Sequence, residues 1–243
     1  GLGDVYKRQL KRLLPRLLFT GAVMGVNWVF LFESYRWVDV SIATLAYYME
    51  PVIVVVASIF LFKEKLSSFK ALGMVAAIVG MFIVTGVDMG GAAPAKGILF
   101  ALAGAVCYAS VVLINKGTKG LSGLETTLIQ LAGAAIVIVP YTVITHSGPW
   151  LDIMSEAGVY ALIVGLVHSG LALFLYFSAI QELPAQSVAL CSYIDPASAL
   201  IFAAVFLGES LSLVQLLGAA LILGGAATGE LLGGKKAKPP AQN

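Results

Sequence analysis

Residues 47–68 read YYMEPVIVVVASIFLFKEKLSS, and residues 192–213 read SYIDPASALIFAAVFLGESLSL. The two stretches align without a gap at an offset of 145 residues. The matched positions are Tyr48/Tyr193, Glu50/Asp195, Pro51/Pro196, Glu64/Glu209, Leu66/Leu211, Ser67/Ser212, Gly25/Gly170, Gly73/Gly218 and Gly80/Gly225. An acid followed by proline, together with a Glu-x-Leu-Ser motif, is hard to match by chance at one offset. The sequence therefore contains an internal repeat.

The composition is that of a membrane protein. Of the 243 residues, 59% are apolar and 12% are charged, and the mean hydropathy is +0.94. A soluble domain carries about twice this fraction of charged residues, so the composition argues against a soluble globular enzyme. Two cysteines argue against a disulfide scaffold. The net charge of +2 is spread along the chain and offers no basic face for nucleic acid.

Eight apolar runs, each of about 19 to 23 residues, are long enough to cross a hydrocarbon core of roughly 30 Å. They are 17–36, 40–62, 69–87, 97–115, 125–145, 157–179, 186–207 and 211–229. If the segment before the first run lies in the cytoplasm, only Arg36 and Lys96 fall outside, and the remaining thirteen of the fifteen basic residues fall inside. Because basic residues are retained on the cytoplasmic side, we predict that both ends are cytoplasmic.

The repeat relates helices of opposite direction. Its offset spans five predicted helices, and because five is odd, equivalent helices cross the membrane in opposite directions. The second copy has two further helices at its start that the first copy lacks, so we expect an N-terminally truncated protein with eight of ten transmembrane helices. The expected organisation is an artefactual or cytoplasmic lead-in at 1–16, three C-terminal helices of the first repeat at 17–87, the second repeat at 97–229, and a cytoplasmic tail at 230–243.

Two acids stand near the middle of predicted spans. A carboxylate at this depth costs a few kcal/mol unless it faces water, has a partner or is protonated, and we expect both Glu50 and Asp195 to be buried. The prolines that follow them, Pro51 and Pro196, remove a backbone hydrogen bond and predict helix kinks. Transporters use such kinks to create polar surface at mid-depth, so we predict substrate or proton binding at both acids. The alternative is that the acids hold helices together through tyrosine or serine hydroxyls.

Other side chains in the spans are candidates for lining a polar cavity, namely Asn27, Trp28, Tyr47, Tyr48, His168 and Tyr193. The His168 imidazole could bind a substrate carboxylate or change its protonation state, while interhelical hydrogen bonding and packing are the alternatives. Structural roles are expected for Glu64 and Glu209, which could cap the following helix or pair with lysines. Structural roles are also expected for Gly25 and its repeat equivalent Gly170, and the spacing of Gly21/Gly25 and Gly225/Gly229 predicts close helix approach.

The candidate enzyme motifs in the sequence are incomplete. The GELLGGK stretch at 229–235 is similar to a phosphate-binding loop, but Lys236 stands where serine or threonine is required. The chain has only two histidines, too few for a histidine-based metal cluster. We therefore expect a protein that is not an enzyme and has neither a metal nor another cofactor. A membrane enzyme that uses His168 and Asp195 as acid and base stays a minor alternative.

The paired Tyr-x-Glu/Asp-Pro helices, the Glu-x-Leu-Ser motifs and the segment HSGLALFLYFSAI at 168–180 resemble the EamA group of the drug/metabolite transporter (DMT) superfamily. The resemblance covers roughly residues 17–229. It implies an all-α integral membrane protein, an inverted-repeat helical bundle of two five-helix halves in the bacterial inner membrane. Such proteins export amino acids, related metabolites or toxic compounds.

From the residues and the resemblance we predict a secondary active transporter. It is expected to export small polar metabolites such as amino acids or their derivatives by alternating access, with proton coupling at an acid or at His168. The expected partners are the substrate and the lipid bilayer, a homodimer stays open, and nucleic acid is not expected. A drug or nucleotide-sugar carrier of the same superfamily and a non-transporting membrane receptor are the alternatives.

Overall fold

A computed structural model describes residues 2–38, 40–85, 94–118, 120–148, 154–207 and 212–233. Every regular element within these ranges is helical. In chain order the helices are α1 (Leu2–Ser34), α2 (Val40–Tyr47), α3 (Glu50–Leu61), α4 (Ser68–Thr85), α5 (Ala95–Lys116), α6 (Gly123–Thr145), α7 (Glu156–Val164), a π-helical segment (Gly165–Ala172), α8 (Leu173–Ile180), α9 (Ala185–Ser192), α10 (Ile194–Leu207) and α11 (Leu213–Gly233).

Four helical stretches are long and apolar enough to cross a membrane. They are Arg8–Ser34, Ala95–Lys116, Gly123–Thr145 and Glu156–Ile180. Three shorter apolar helices are Glu50–Leu61, Ser68–Ile83 and Leu216–Gly229. Many large apolar side chains on these helices are exposed, which lipid satisfies and water does not. The chain is therefore a multi-pass, all-helical membrane protein, and the described residues contain four full-length spans where the sequence predicted eight.

Two of the predicted spans are interrupted beside the prolines of the repeat. The span predicted at 40–62 consists of α2 and α3, which are separated at Tyr48 and Met49. The span predicted at 186–207 consists of α9 and α10, which are separated at Tyr193. Each proline lies in the first turn of the second helix of its pair, where its missing N–H costs no hydrogen bond. The structure thus has a break in both places where the sequence predicted a kink.

The described residues form two compact units. Unit 1 comprises Gly1–Val29 and Ser110–Leu183, and unit 2 comprises Phe30–Ala109 and Pro184–Asn243. Unit 2 contains helices from both copies of the sequence repeat, α2 to α4 from the first and α9 to α11 from the second.

In unit 2, α4 and α11 pack in opposite directions through glycines. A Cβ atom added at Gly225 would lie 2.6 Å from the Gly73 carbonyl oxygen, and one at Gly80 would lie 2.5 Å from the Gly218 carbonyl oxygen. Gly218 is the repeat equivalent of Gly73, and Gly225 is the repeat equivalent of Gly80. The two contacts are therefore reciprocal. Replacing Gly73 and Gly225 by their repeat equivalents turns the first contact into the second.

In unit 1, α1 packs closely against α6. A Cβ atom at Gly25 would lie 2.8 Å from the Ala134 carbonyl oxygen. Nearby, the buried amides of Asn115 and Gln130 join α5 to α6 with two hydrogen bonds, of which the bond from Asn115 Nδ2 to Gln130 Oε1 measures 3.2 Å. Each amide thus satisfies the other inside an apolar unit, where an unpaired polar group would be costly.

Candidate functional site

The Glu50 side chain lies at the helix break of unit 2. It is the first residue of α3, its side chain is only 4% exposed, and its Oε1 atom has no hydrogen-bond partner. Burying a carboxyl oxygen without a partner costs free energy, especially when the group is ionised. In a membrane protein, a buried acid of this kind most often binds a ligand or carries a proton.

Tyr48 and Tyr193, which are equivalent in the sequence repeat, contact each other in the structure. Their rings are stacked with centroids 6.4 Å apart. The Tyr193 hydroxyl donates to the Tyr48 carbonyl oxygen at 3.4 Å, and this carbonyl lies at the break between α2 and α3. A second aromatic contact joins the Tyr47 ring to the Tyr108 ring on α5, with centroids 6.1 Å apart. The helix breaks of unit 2 are therefore surrounded by tyrosines.

The two acids of the repeat share this neighbourhood but differ in burial. Glu50 follows the α2–α3 break that holds Tyr48, and Asp195 follows the α9–α10 break at Tyr193, so the stacked rings bring the two breaks together. Asp195 is exposed, and so is Ile194 beside it, because the first turn of α10 is less covered than the first turn of α3. The expectation that both acids are buried therefore holds for Glu50 and is wrong for Asp195.

The other three predicted site residues belong to unit 1. Asn27 is fully buried on α1 and has an interaction partner. Trp28 beside it is half-buried, and His168 is exposed. His168 lies in the π-helical segment Gly165–Ala172, and π-helical turns are frequent at functional sites. A Cβ atom at Gly170 would meet only the Gly165 carbonyl oxygen, at 3.9 Å, so Gly170 mediates no close helix approach among the described residues.

Glu64 caps a helix that is distant in sequence. Its carboxylate accepts hydrogen bonds from the backbone N–H groups of Ala185, at 2.9 Å, and Gln186, at 3.2 Å. These are the first residues of α9, whose N-terminal N–H groups have no partner within the helix. We expected Glu64 to cap the following helix or to pair with lysines, and in the structure it caps α9 instead. Glu209, its repeat equivalent, lies outside the described residues.

A polar cluster surrounds this cap, and the sequence analysis did not identify it. The buried Lys70 ammonium donates to the Ser187 hydroxyl at 3.2 Å, and Gln186 Nε2 donates to the Ser58 hydroxyl at 3.5 Å. The α9 polar cluster consists of Ser58, Glu64, Lys70, Gln186 and Ser187. Its members come from α9 and from the α3–α4 region, more than a hundred residues apart in sequence. No local sequence motif therefore predicts the cluster.

We predict that Glu64→Ala destabilises the protein by about 1–2 kcal/mol, because two N–H groups at the start of α9 lose a charged acceptor. Glu64→Gln keeps one acceptor oxygen and should lose less. Thermal unfolding of the purified protein in detergent measures both variants. Glu182→Ala is the matched control, since Glu182 is an exposed acid just before α9. Equal melting temperatures for Glu64→Ala and Glu182→Ala would refute the capping role.

Comparison with known proteins places the chain among transporters. The EamA-like transporter family matches residues 3–86 and 95–228. The chain is 29% identical to the uncharacterized transporter YxxF of Bacillus subtilis over 225 residues, which are 89% of this chain and 70% of that protein. It is 27% identical to the protein PecM of Dickeya dadantii over 212 residues, which are 86% of this chain and 71% of that protein.

A solved crystal structure has the same fold. It superposes with a TM-score of 0.76 at 23% sequence identity, and the match covers 90% of this chain and 88% of the other.

Proposed function

Because the chain belongs to the EamA-like transporter family, we propose that it is a secondary active transporter that exports small polar metabolites, such as amino acids or their derivatives, by alternating access. Membership of a family whose relatives are named transporters supports the transport activity. The observation that carries the finer proposal is the buried Glu50 carboxyl oxygen without a partner at a helix break. Ionisable groups beside broken helices are where transporters bind substrates and coupling ions.

The proposed architecture is an inverted repeat, with eight transmembrane helices of a ten-helix bundle. Two kinds of contact in unit 2 support it. The glycine contacts between α4 and α11 are reciprocal in the repeat numbering, as in an interface built around a two-fold axis. Tyr48 and Tyr193 are repeat equivalents that stack on each other, and a residue that meets its own equivalent lies at such an axis.

The proposed orientation places both ends of the chain in the cytoplasm of a bacterial cell, with the helices in its inner membrane. Two contacts within unit 2 agree with the alternation of the predicted spans. Glu64 contacts Ala185, and both positions are predicted to be cytoplasmic. The Lys96 ammonium lies 3.7 Å from the centre of the Trp37 ring, and both of these positions are predicted to be external.

In the proposed mechanism, protonation of Glu50 couples the proton gradient to the movement of substrate. A neutral carboxylic acid is far cheaper to bury than a carboxylate, so proton uptake favours the closed arrangement of the helix break and proton release favours its opening to water or to a cation. A group whose two states differ in this way biases a conformational equilibrium. Tyr47, Tyr48 and Tyr193 would line the substrate path in unit 2. For unit 1, taken by itself, substrate or proton binding at His168, Asn27 and Trp28 stays a proposal.

Flux measurements in proteoliposomes test the proposal. The full chain is reconstituted, a pH gradient is imposed, and the uptake of labelled amino acids and amines is compared with that of protein-free vesicles. We expect gradient-dependent uptake of chemically unchanged substrate. Recovery of a converted product would favour the enzyme alternative, and saturable binding without flux would favour a receptor. Preference for a nucleotide sugar or a hydrophobic drug would assign another carrier class of the superfamily.

A further inference from the structure

Among the described residues of unit 2, the Glu50 carboxylate has no positive partner. Unit 2 has five basic side chains among its described residues, and each is engaged elsewhere or exposed. Arg36 pairs with Glu33 at 3.1 Å, Lys96 lies over the Trp37 ring, Lys70 donates to Ser187, and Lys63 and Lys65 are exposed. A buried carboxylate without a counter-charge is either protonated or paired with a cation that comes from outside.

The groups around Glu50 suit an organic cation. Tyr48, two residues before Glu50, stacks on Tyr193, and Tyr47 at the same helix break forms a second aromatic pair with Tyr108. The faces of aromatic rings attract ammonium groups, and the attraction grows when water is excluded. The other acid of the repeat, Asp195, lies two residues after Tyr193, in the first turn of α10. Both acids and all four rings belong to unit 2.

The same surroundings disfavour a substrate carboxylate. A carboxylate needs a basic side chain or several N–H donors when it leaves water. The charged residues at the two helix breaks that hold Tyr48 and Tyr193 are Glu50 and Asp195, both of them acids. A zwitterionic amino acid would therefore place its negative end close to like charges, whereas the amine of the same skeleton would not.

We propose that unit 2 binds its substrate through a protonated amine paired with Glu50 and enclosed by tyrosine rings, and that it prefers a primary amine to the corresponding amino acid. This inference rests on the transport function proposed above. It narrows the proposed substrates from small polar metabolites in general to those that carry an amine. The hydroxyls of the rings are secondary, because the attraction comes from the ring faces.

Three probes that share a phenylethyl group test the inference. Isothermal titration calorimetry on the purified full chain compares phenethylamine, phenylalanine and 3-phenylpropionate. We expect phenethylamine to bind about tenfold or more tightly than phenylalanine, because the buried carboxylate of the latter has no partner, and we expect no binding of 3-phenylpropionate. Equal or tighter binding of phenylalanine overturns the inference, and so does an absence of binding by all three probes.

Variants locate the interaction. Glu50→Gln should abolish phenethylamine binding, whereas Glu182→Gln, the same change at an exposed acid, should leave it intact. Tyr193→Leu, which removes the aromatic ring, should bind phenethylamine several-fold more weakly. Undiminished amine binding by Glu50→Gln overturns the inference. If Glu50→Gln does not fold, the ranking of the three probes on the unchanged protein still decides.

Flux separates this inference from the proposed function. The three probes are offered to the same proteoliposomes. Preferred binding of phenethylamine without any flux would support amine recognition and refute transport. Flux that favours phenylalanine would support transport and refute amine recognition.

Discussion

Glu50→Gln is expected to reduce uptake driven by a pH gradient to the level of protein-free vesicles. The substitution preserves the volume of the side chain but leaves a group that neither ionises nor pairs as an anion. Glu50 is buried with an unpartnered oxygen, so the change removes its chemistry while disturbing little packing. Asp195→Asn should retain a measurable part of the uptake, because Asp195 is exposed and its substitution does not change a buried group without a partner, as Glu50→Gln does.

The measurement uses reconstituted full chain with matched amounts of folded protein. Glu182→Gln, at an exposed acid outside unit 2, controls for the loss of one negative charge and should transport normally. Full gradient-driven uptake by Glu50→Gln would remove this acid from the mechanism. A complete loss with Asp195→Asn alone would show that the exposed acid, and not the buried one, carries the coupling.

Gly225→Ala is expected to destabilise the protein by about 1–3 kcal/mol relative to Gly224→Ala, the range typical of overpacked positions. A Cβ atom at Gly225 would lie 2.6 Å from the Gly73 carbonyl oxygen on α4, whereas one at Gly224 would have no atom within 4 Å. Both substitutions give α11 the same gain in helix propensity. The difference between the two variants therefore isolates the close approach of the helices.

Thermal unfolding in detergent, followed by tryptophan fluorescence, measures the pair. The reciprocal geometry predicts that Gly80→Ala, on α4, behaves like Gly225→Ala, because its Cβ atom would lie 2.5 Å from the Gly218 carbonyl oxygen. Equal melting temperatures for Gly224→Ala and Gly225→Ala would contradict the close packing of α4 against α11.

The class of the protein could be predicted from its sequence because the signals involved are local. Apolar length and low charge identify membrane helices whatever their neighbours, and the family resemblance is confirmed by the match to the EamA-like family. The positions of Pro51 and Pro196 located both helix breaks. Hydropathy alone ran across those breaks, which is why the two spans predicted at 40–62 and 186–207 are each a pair of shorter helices in the structure.

Other features depended on contacts between distant parts of the chain. The cap that Glu64 forms on α9 joins residues 121 apart, and the Lys70–Ser187 bond joins residues 117 apart. No pattern of spacing along one helix encodes such a pair. The unequal burial of Glu50 and Asp195 was also unpredictable from the repeat, because equivalent positions carry the same motif while their burial depends on the helices packed around them.

Topology labelling tests the inverted repeat most directly. Cys107 and Cys191 are first replaced by alanine, and single cysteines are introduced as Lys63→Cys and Gly208→Cys, at positions equivalent in the repeat. A membrane-impermeant maleimide is then added to intact spheroplasts. The inverted repeat predicts labelling at 208 from outside and at 63 only after the membrane is permeabilised. Labelling of both positions from the same side would contradict it.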